Sequence, residues 1–152
     1  MRVLIVEDNA FNAFCLTRLI EVVYKQAHVV VLNNSLNVLN FLAQNDTSIV
    51  ILDGDLGASD GLHCNGPALA ELIWMAKPQL PIVAWSDSDS MRSAFAEVFK
   101  QHSKPFNDHS CWTKIVSLER IYHSLPYVLT QNMSNHFSEA PRMVDRYESL
   151  HS

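Results

Sequence analysis

Four stretches of this sequence place ionisable or hydroxyl side chains just past the ends of short apolar runs: Glu7 and Asp8, Asp53, Ser86 and Lys114. Three carboxylates brought together repel one another and resist ionising unless a cation neutralises them. A hard divalent ion with oxygen ligands answers that need, and Mg²⁺ suits a site with few carboxylates, several waters and a phosphoryl oxygen. A lysine and a hydroxyl on the opposite side can hold the remaining oxygens of a phosphoryl group. Positioning and charge neutralisation are the main requirements of phosphoryl transfer. In such a site the Asp53 carboxylate is the nucleophile and the product an aspartyl-phosphate.

These residues are far apart in sequence, so the elements between them must gather them. Short apolar runs alternate with longer helical patterns, the mark of βα units around a parallel sheet. Val3 to Val6, His28 to Leu32, Ser48 to Leu52, Pro81 to Trp85 and, most weakly, Ser110 to Thr113 read as strands. Asn9 caps a first helix in which Phe11, Phe14, Cys15, Leu19, Val22 and Val23 recur at helical spacing. Ser35 starts a second helix with Leu36, Leu39 and Leu42; Asn65 to Lys77, Met91 to Gln101 and a segment from Ser117 through Leu125 supply three more. Five such units make an α/β fold, a flavodoxin-like doubly wound five-stranded parallel sheet of order 2-1-3-4-5 with helices on both faces. Right-handed crossovers put every strand's carboxyl end on one edge, where ligands bind. The segment 126–152 is polar and broken by Pro126 and Pro141, and reads as a tail after a 1–125 domain, with one short helix at most, from Arg142 to Leu150.

Composition narrows the function. At 152 residues and 48% hydrophobic, the chain has one sizeable core and no room for two large domains. A net charge of −5 argues against direct nucleic-acid binding, and the scattered Lys and Arg form no polybasic membrane patch. No apolar run approaches a membrane span, and Glu7 and Asp8 interrupt what superficially resembles a signal peptide. Three cysteines without motif spacing suggest reduced thiols and a cytoplasmic location. His102, His109 and Cys111 lack the fourth ligand and the spacing of a zinc site. His63-Cys64 reads as a loop pair, and Trp74 and Met75 as packing or half-exposed partner surface.

On these residues the chain resembles the receiver domains of two-component response regulators, over about residues 2 to 125. Val3 to Asn9 resembles the family's opening strand with its acidic pair. Ile49 to Asp53, followed by Asp60-Gly61, is similar to the phosphoacceptor strand and loop. Pro81 to Ser86 resembles the fourth strand with its hydroxyl residue, and Thr113 to Glu119 the stretch around the family's lysine. The resemblance implies that Asp53 accepts a phosphoryl group from a phosphohistidine on a sensor histidine kinase or phosphotransfer protein. It implies direct Mg²⁺ ligation by Asp8 and Asp53, a water-mediated role for Glu7, and a further ligand in the backbone carbonyl of Asp55. Ser86 and Lys114 would each hold a phosphoryl oxygen, and phosphorylation would shift a two-state equilibrium in the fourth and fifth βα units.

Several positions depart from that pattern. Gly57 replaces a proline, and Asp55 adds an acid near the nucleophile. Asp87 follows Ser86 where a small residue is usual, and is expected to crowd or repel a phosphoryl group. Ile115 replaces the proline after the lysine, which disfavours a cis peptide there. Cys111 sits where an aromatic switch residue is common, and Trp112 should face the other way. Lys104-Pro105-Phe106 mimics the family's Lys-Pro-Phe, but no strand-like run precedes it; Lys114 is the preferred assignment, with a loop from Gln101 to Asp108. Three functions follow: a phosphorylatable switch whose output runs through protein contacts, with a homodimer left open; a degenerate receiver acting as a phosphorylation-independent interaction module; and, more distantly, a Mg²⁺-dependent phosphohydrolase.

Overall fold

A computed structural model describes residues 1–56 and 65–136, with side chains to residue 130. Gly57, Asp60-Gly61, His63-Cys64 and the expected short helix at Arg142 to Leu150 lie outside the described residues. Five strands, β1 (Arg2–Val6), β2 (His28–Leu32), β3 (Ile49–Asp53), β4 (Ile82–Trp85) and β5 (Cys111–Trp112), alternate with helices α1 (Ala10–Val23), α2 (Val38–Gln44), α3 (Gly66–Ala76), α4 (Asp89–Gln101) and α5 (Leu118–His136). All four strand pairings are parallel and the order is β2-β1-β3-β4-β5, as the alternation of elements requires.

The two-residue period of the strands divides the core into two layers. Leu4, Val6, Val50, Leu52, Ile82, Ala84 and Cys111 meet Leu69, Ile73 and Trp74 of α3 and Phe95 and Phe99 of α4. Val3, Ile5, Ile49, Ile51, Val83, Trp85 and Trp112 meet Leu16 and Ile20 of α1 and Ile121 and Leu125 of α5. Cys111 and Trp112 thus face opposite layers. With helices on both faces, β3 and β4 are buried throughout, which is why they read as continuous apolar runs. Burial of each such side chain is worth about 1.5–3 kcal/mol, enough to hold the short β5 in register against β4.

The helices that follow the strands begin toward the carboxyl edge of the sheet, and the first turns of α1, α3, α4 and α5 are capped by side chains. Asn9 Oδ1 accepts the Asn12 amide at 2.9 Å, Asn65 Oδ1 the Ala68 amide at 2.9 Å, and Ser88 Oγ the Met91 amide at 3.3 Å. Ser117 Oγ accepts the Arg120 amide at 3.0 Å, which starts α5 where expected. Asn9→Ala is expected to lower the unfolding free energy by about 1 kcal/mol in urea titrations, with an unchanged slope.

Three sequence expectations change. The helical periodicity of α1 is right, but the sheet takes the Ala13, Leu16 and Ile20 stripe, leaving Phe11, Phe14 and Val22 exposed. The residues Ser35 and Leu36 form a turn rather than the start of α2: Asn34 Oδ1 accepts the Leu36 amide, and the Val38 amide bonds Ser35 O. Leu36 and Leu39 are consequently exposed, while Val38 and Leu42 are buried. Finally, Pro126 lies inside α5 rather than ending it. A proline there removes one backbone donor, and it is tolerated because Leu125 and Val128 on either side are buried in the α1/α5 layer. The packed unit therefore extends beyond residue 125.

Candidate functional site

The carboxyl ends of β1, β3, β4 and β5 bring together the residues singled out by type. Glu7, directly after β1, is 2% exposed and keeps the strand geometry because its amide bonds Leu32 O of β2 at 3.0 Å. Asp8 follows it and is exposed. Asp53, the last residue of β3, is 5% exposed. One carboxylate oxygen each from Glu7, Asp8 and Asp53 lie within 4.8 Å of one another. Lys114 closes the group: its Nζ donates to Glu7 Oε2 at 2.7 Å and lies 2.8 Å from Asp53 Oδ1. Asn12, one turn into α1, donates from Nδ2 to Glu7 Oε1 at 3.1 Å and so fixes the other Glu7 oxygen.

Ser86 is buried beside this group. Its amide bonds Trp112 O of β5 at 2.9 Å, which extends the strand pairing by one residue, and its Oγ accepts the Ser88 amide at 3.1 Å. The loop after β3 passes close by: a Cβ built on Gly54 would stand 3.2 Å from Ser86 Oγ and 2.8 Å from Met91 Cβ. Gly66, at the start of α3, is tighter still, since a Cβ there would meet the Asp53 carbonyl oxygen at 2.1 Å. Its amide donates to Gly54 O at 2.8 Å. The two glycines let the loop after β3, the α3 start and the α4 start converge on Asp53.

Electrostatics follow from this crowding. Burial first, and then the hydrogen bond to Glu7, push the Asp53 carboxyl up to about 7, while Lys114 acts in the opposite direction. One ammonium does not offset three carboxylates. The remaining deficit, an all-oxygen donor set and the exposed Asp8 on the open side together fit a small divalent cation.

The positions whose types departed from expectation find specific partners. Asp87 does not point at Asp53; its Oδ1 accepts the Lys114 amide at 2.8 Å. The Asp55 side chain is exposed, and its amide donates to Asp53 Oδ1 at 3.4 Å. Lys104 lies at the opposite, amino edge of the sheet, donating to Pro78 O at 2.6 Å beside the Trp74 ring, so Lys114 is the lysine at the acidic group. His102 pairs with Glu71 at 2.7 Å and His109 contacts Ser124 and Tyr127, apart from any metal-like cluster. Trp74 is buried and donates to Leu80 O at 2.7 Å, whereas Met75 is exposed.

No protein-family model matches the sequence, and no curated protein is similar to it. Solved structures do match. A CheY-like response-regulator receiver domain from Methanospirillum hungatei JF-1 superimposes with a TM-score of 0.69 at 13% identity, over 88% of this chain and 97% of that one. The chain has the receiver-domain fold. The signal receiver domain of a modulated diguanylate cyclase from Desulfovibrio desulfuricans G20 gives a TM-score of 0.70 at 20% identity, over 88% of this chain and 97% of that one. NtrX from Brucella abortus gives 0.71 at 14% identity over 91% of this chain, which spans 28% of that longer protein.

On this receiver fold, sequence reasoning located the acids, the hydroxyl and the lysine but passed over Asn12, Gly54, Gly66 and Trp85. The glycines carried a readable signal, one directly after the candidate nucleophile and one at a helix start. Asn12 did not, since an asparagine one turn into a helix is ordinarily solvent-facing. Trp85 stood in a run already assigned to the core.

Proposed function

We propose that this chain is a response-regulator receiver that accepts a phosphoryl group on Asp53 and thereby switches its contacts with other proteins. The strongest support is the meeting of Asp53, Glu7, Asp8 and Lys114 at the carboxyl edge of a receiver fold, with Ser86 beside the loop after β3. The donor is a phosphohistidine on a sensor histidine kinase or phosphotransfer protein. Glu7, Asp8, Asp53 and the Asp55 backbone carbonyl would hold Mg²⁺, which when bound neutralises charge on the transferring phosphoryl group.

The chain's own groups account for the other requirements. An oxygen of the Asp53 carboxylate forms the new O–P bond as the P–N bond to the donor imidazole breaks, so the imidazole takes the electron pair. Lys114, already ordered against Asp53, offers its ammonium to a phosphoryl oxygen. Ser86 Oγ accepts the Ser88 amide, which leaves its proton for donation to another oxygen. A Ser86 contact to the phosphoryl group would draw on the loop leading into α4, and so bias the fourth and fifth βα units.

The receiver unit is drawn to include α5, with residues 137–152 as a modifier of its contacts. None of the helices among the described residues is long and apolar enough to cross a membrane, and the cytoplasm, where such kinases deliver phosphoryl groups, is the proposed location. A phosphorylation-dependent homodimer is one form that the switched contacts can take.

The test is intact-mass spectrometry after incubation with acetyl phosphate, with and without Mg²⁺, on the wild type and on Asp53→Asn. A Mg²⁺-dependent gain of one phosphoryl group, absent in the variant, is the expected result. No adduct on either protein, together with no Mg²⁺ binding, would replace this reading with the phosphorylation-independent interaction module.

A further inference from the structure

Lys114 is held from several directions, and two of the holds come from the residues on either side of Ser86. Trp85, the last residue of β4, is 1% exposed, and the Lys114 ammonium lies 3.9 Å from the centroid of its ring. An ammonium over an aromatic face is attracted by the ring quadrupole, and indole is the best side chain for this. The indole also carries a liability. Its Nε1–H is buried with no hydrogen-bond partner among the described residues, a defect that leucine or phenylalanine would not bring. What the indole adds beyond apolar volume is therefore its face under Lys114.

Asp87 acts on the other part of the same residue. It is exposed, and its Oδ1 accepts the Lys114 amide at 2.8 Å. That bond ties the loop after β4 to the loop after β5, beyond the reach of the strand pairing. The next residue, Ile115, is 93% exposed, so its side chain gives the loop no packing, and its carbonyl is held locally, by Thr113 Oγ1 at 3.0 Å.

We propose that Trp85 and Asp87 are positioning residues for Lys114, one holding its ammonium and the other its main chain, so that Ser86 and Lys114 form a single unit. The consequence for catalysis rests on the phosphoryl-transfer reading above; the positioning itself does not. A lysine side chain loses much conformational freedom when it is ordered, and a site that orders it beforehand spares that cost during transfer. The aromatic face is suited to this because it takes up none of the three N–H donors individually. The ammonium can exchange Asp53 Oδ1 for a phosphoryl oxygen while it stays over the ring.

The test uses the full chain with its lysine ε-carbons labelled with ¹³C. The Trp85 ring current should shift the Lys114 εCH₂ resonance upfield, and that resonance, unlike the one from Lys104 beside Trp74, should be missing from Lys114→Met. Trp85→Leu should return it to the position of exposed lysines, and Trp85→Phe should keep part of the shift. With acetyl phosphate and Mg²⁺, Trp85→Leu should slow phosphorylation about tenfold, with Trp85→Phe recovering most of the rate. Asp87→Ala should slow it roughly threefold, and Asp87→Asn, whose side-chain oxygen still accepts the amide, should restore it. Should Trp85→Leu fail to fold, the Phe variant and the Asp87 pair carry the comparison. An unshifted resonance in the wild type, or wild-type rates in both Trp85→Leu and Asp87→Ala, overturns the proposal. A correctly behaving resonance in a wild type that takes up no phosphoryl group supports the clamp and defeats the receiver function instead.

Discussion

Asp53→Asn is expected to strengthen the metal-free fold and, on the proposed receiver function, to abolish phosphorylation. Asp53 is buried against Glu7, and its carboxyl is pushed up to about 7 from an ordinary value of 3.8. Between those two pH values the folded chain holds a proton that the unfolded chain releases, so stability falls as pH rises through this window. Above it the whole contribution has been lost. Each tenfold change in proton affinity on folding corresponds to about 1.4 kcal/mol. Asparagine keeps the shape, removes the charge and leaves Lys114 paired with Glu7. In EDTA near pH 8 the variant should therefore be more stable than the wild type by on the order of 2 kcal/mol in urea titrations. At pH 4 the two should nearly coincide, because the wild-type carboxyl is protonated there. Millimolar Mg²⁺ should stabilise the wild type more than the variant, which has one anionic ligand fewer. A variant less stable than the wild type near pH 8 would show that Asp53 is held there as a favourable ion-pair partner of Lys114, not as a strained acid.

The same crowding explains why the site was legible in the sequence to the extent that it was. Strands buried on both faces read as short apolar runs, and a polar residue that ends such a run stands at the sheet's edge whatever the details of packing. Glu7, Asp53 and Ser86 were placed by that rule, whereas Lys114, after the weakest strand, was preferred over Lys104 with the help of the resemblance around the last helix. The helices were legible in position but less so in orientation. In α1 the apolar residues form two stripes, and only the sheet decides between Leu16 with Ile20 and Phe11 with Phe14. In α5 the proline signal at Pro126 was overridden by the burial of Leu125 and Val128, which are remote in sequence from β1 but only a layer away from it in space. Side-chain direction at a loop was not legible at all. Asp87 reads as a charge beside the phosphoryl pocket, and becomes a backbone anchor only when β5 brings the Lys114 amide to it. Close approach is only half legible: a glycine at a helix start can be read as a signal, but not that what it admits is the Asp53 carbonyl.

Lys114→Met should produce the largest loss. The ammonium touches both Glu7 and Asp53, which are 2% and 5% exposed, and methionine fills a similar volume without charge. Two nearly buried carboxylates would then face each other uncompensated, a situation that costs about 3 kcal/mol when one partner of a buried pair is removed. The loss should be greatest near pH 8 in EDTA. It should shrink toward pH 5, because Asp53 takes up a proton more readily once the opposing influence of Lys114 is gone. Millimolar Mg²⁺ should restore much of the stability, since a cation in the same carboxylate cluster replaces the missing charge. Phosphorylation by acetyl phosphate should not recover with it. If the receiver reading holds, Mg²⁺ and Lys114 neutralise different phosphoryl oxygens, and the rate should stay down by on the order of 10²-fold even at saturating Mg²⁺. Lys104→Met supplies the contrast: Lys104 bonds a backbone carbonyl at the far edge, and its removal should change stability by under about 1 kcal/mol and leave phosphorylation as it was. Equal effects of the two substitutions would mean that the lysine at the acidic cluster has no special role there. A Lys114 effect on rate that outlasts the repair of stability by Mg²⁺ would separate what this residue does for the fold from what it does for the chemistry.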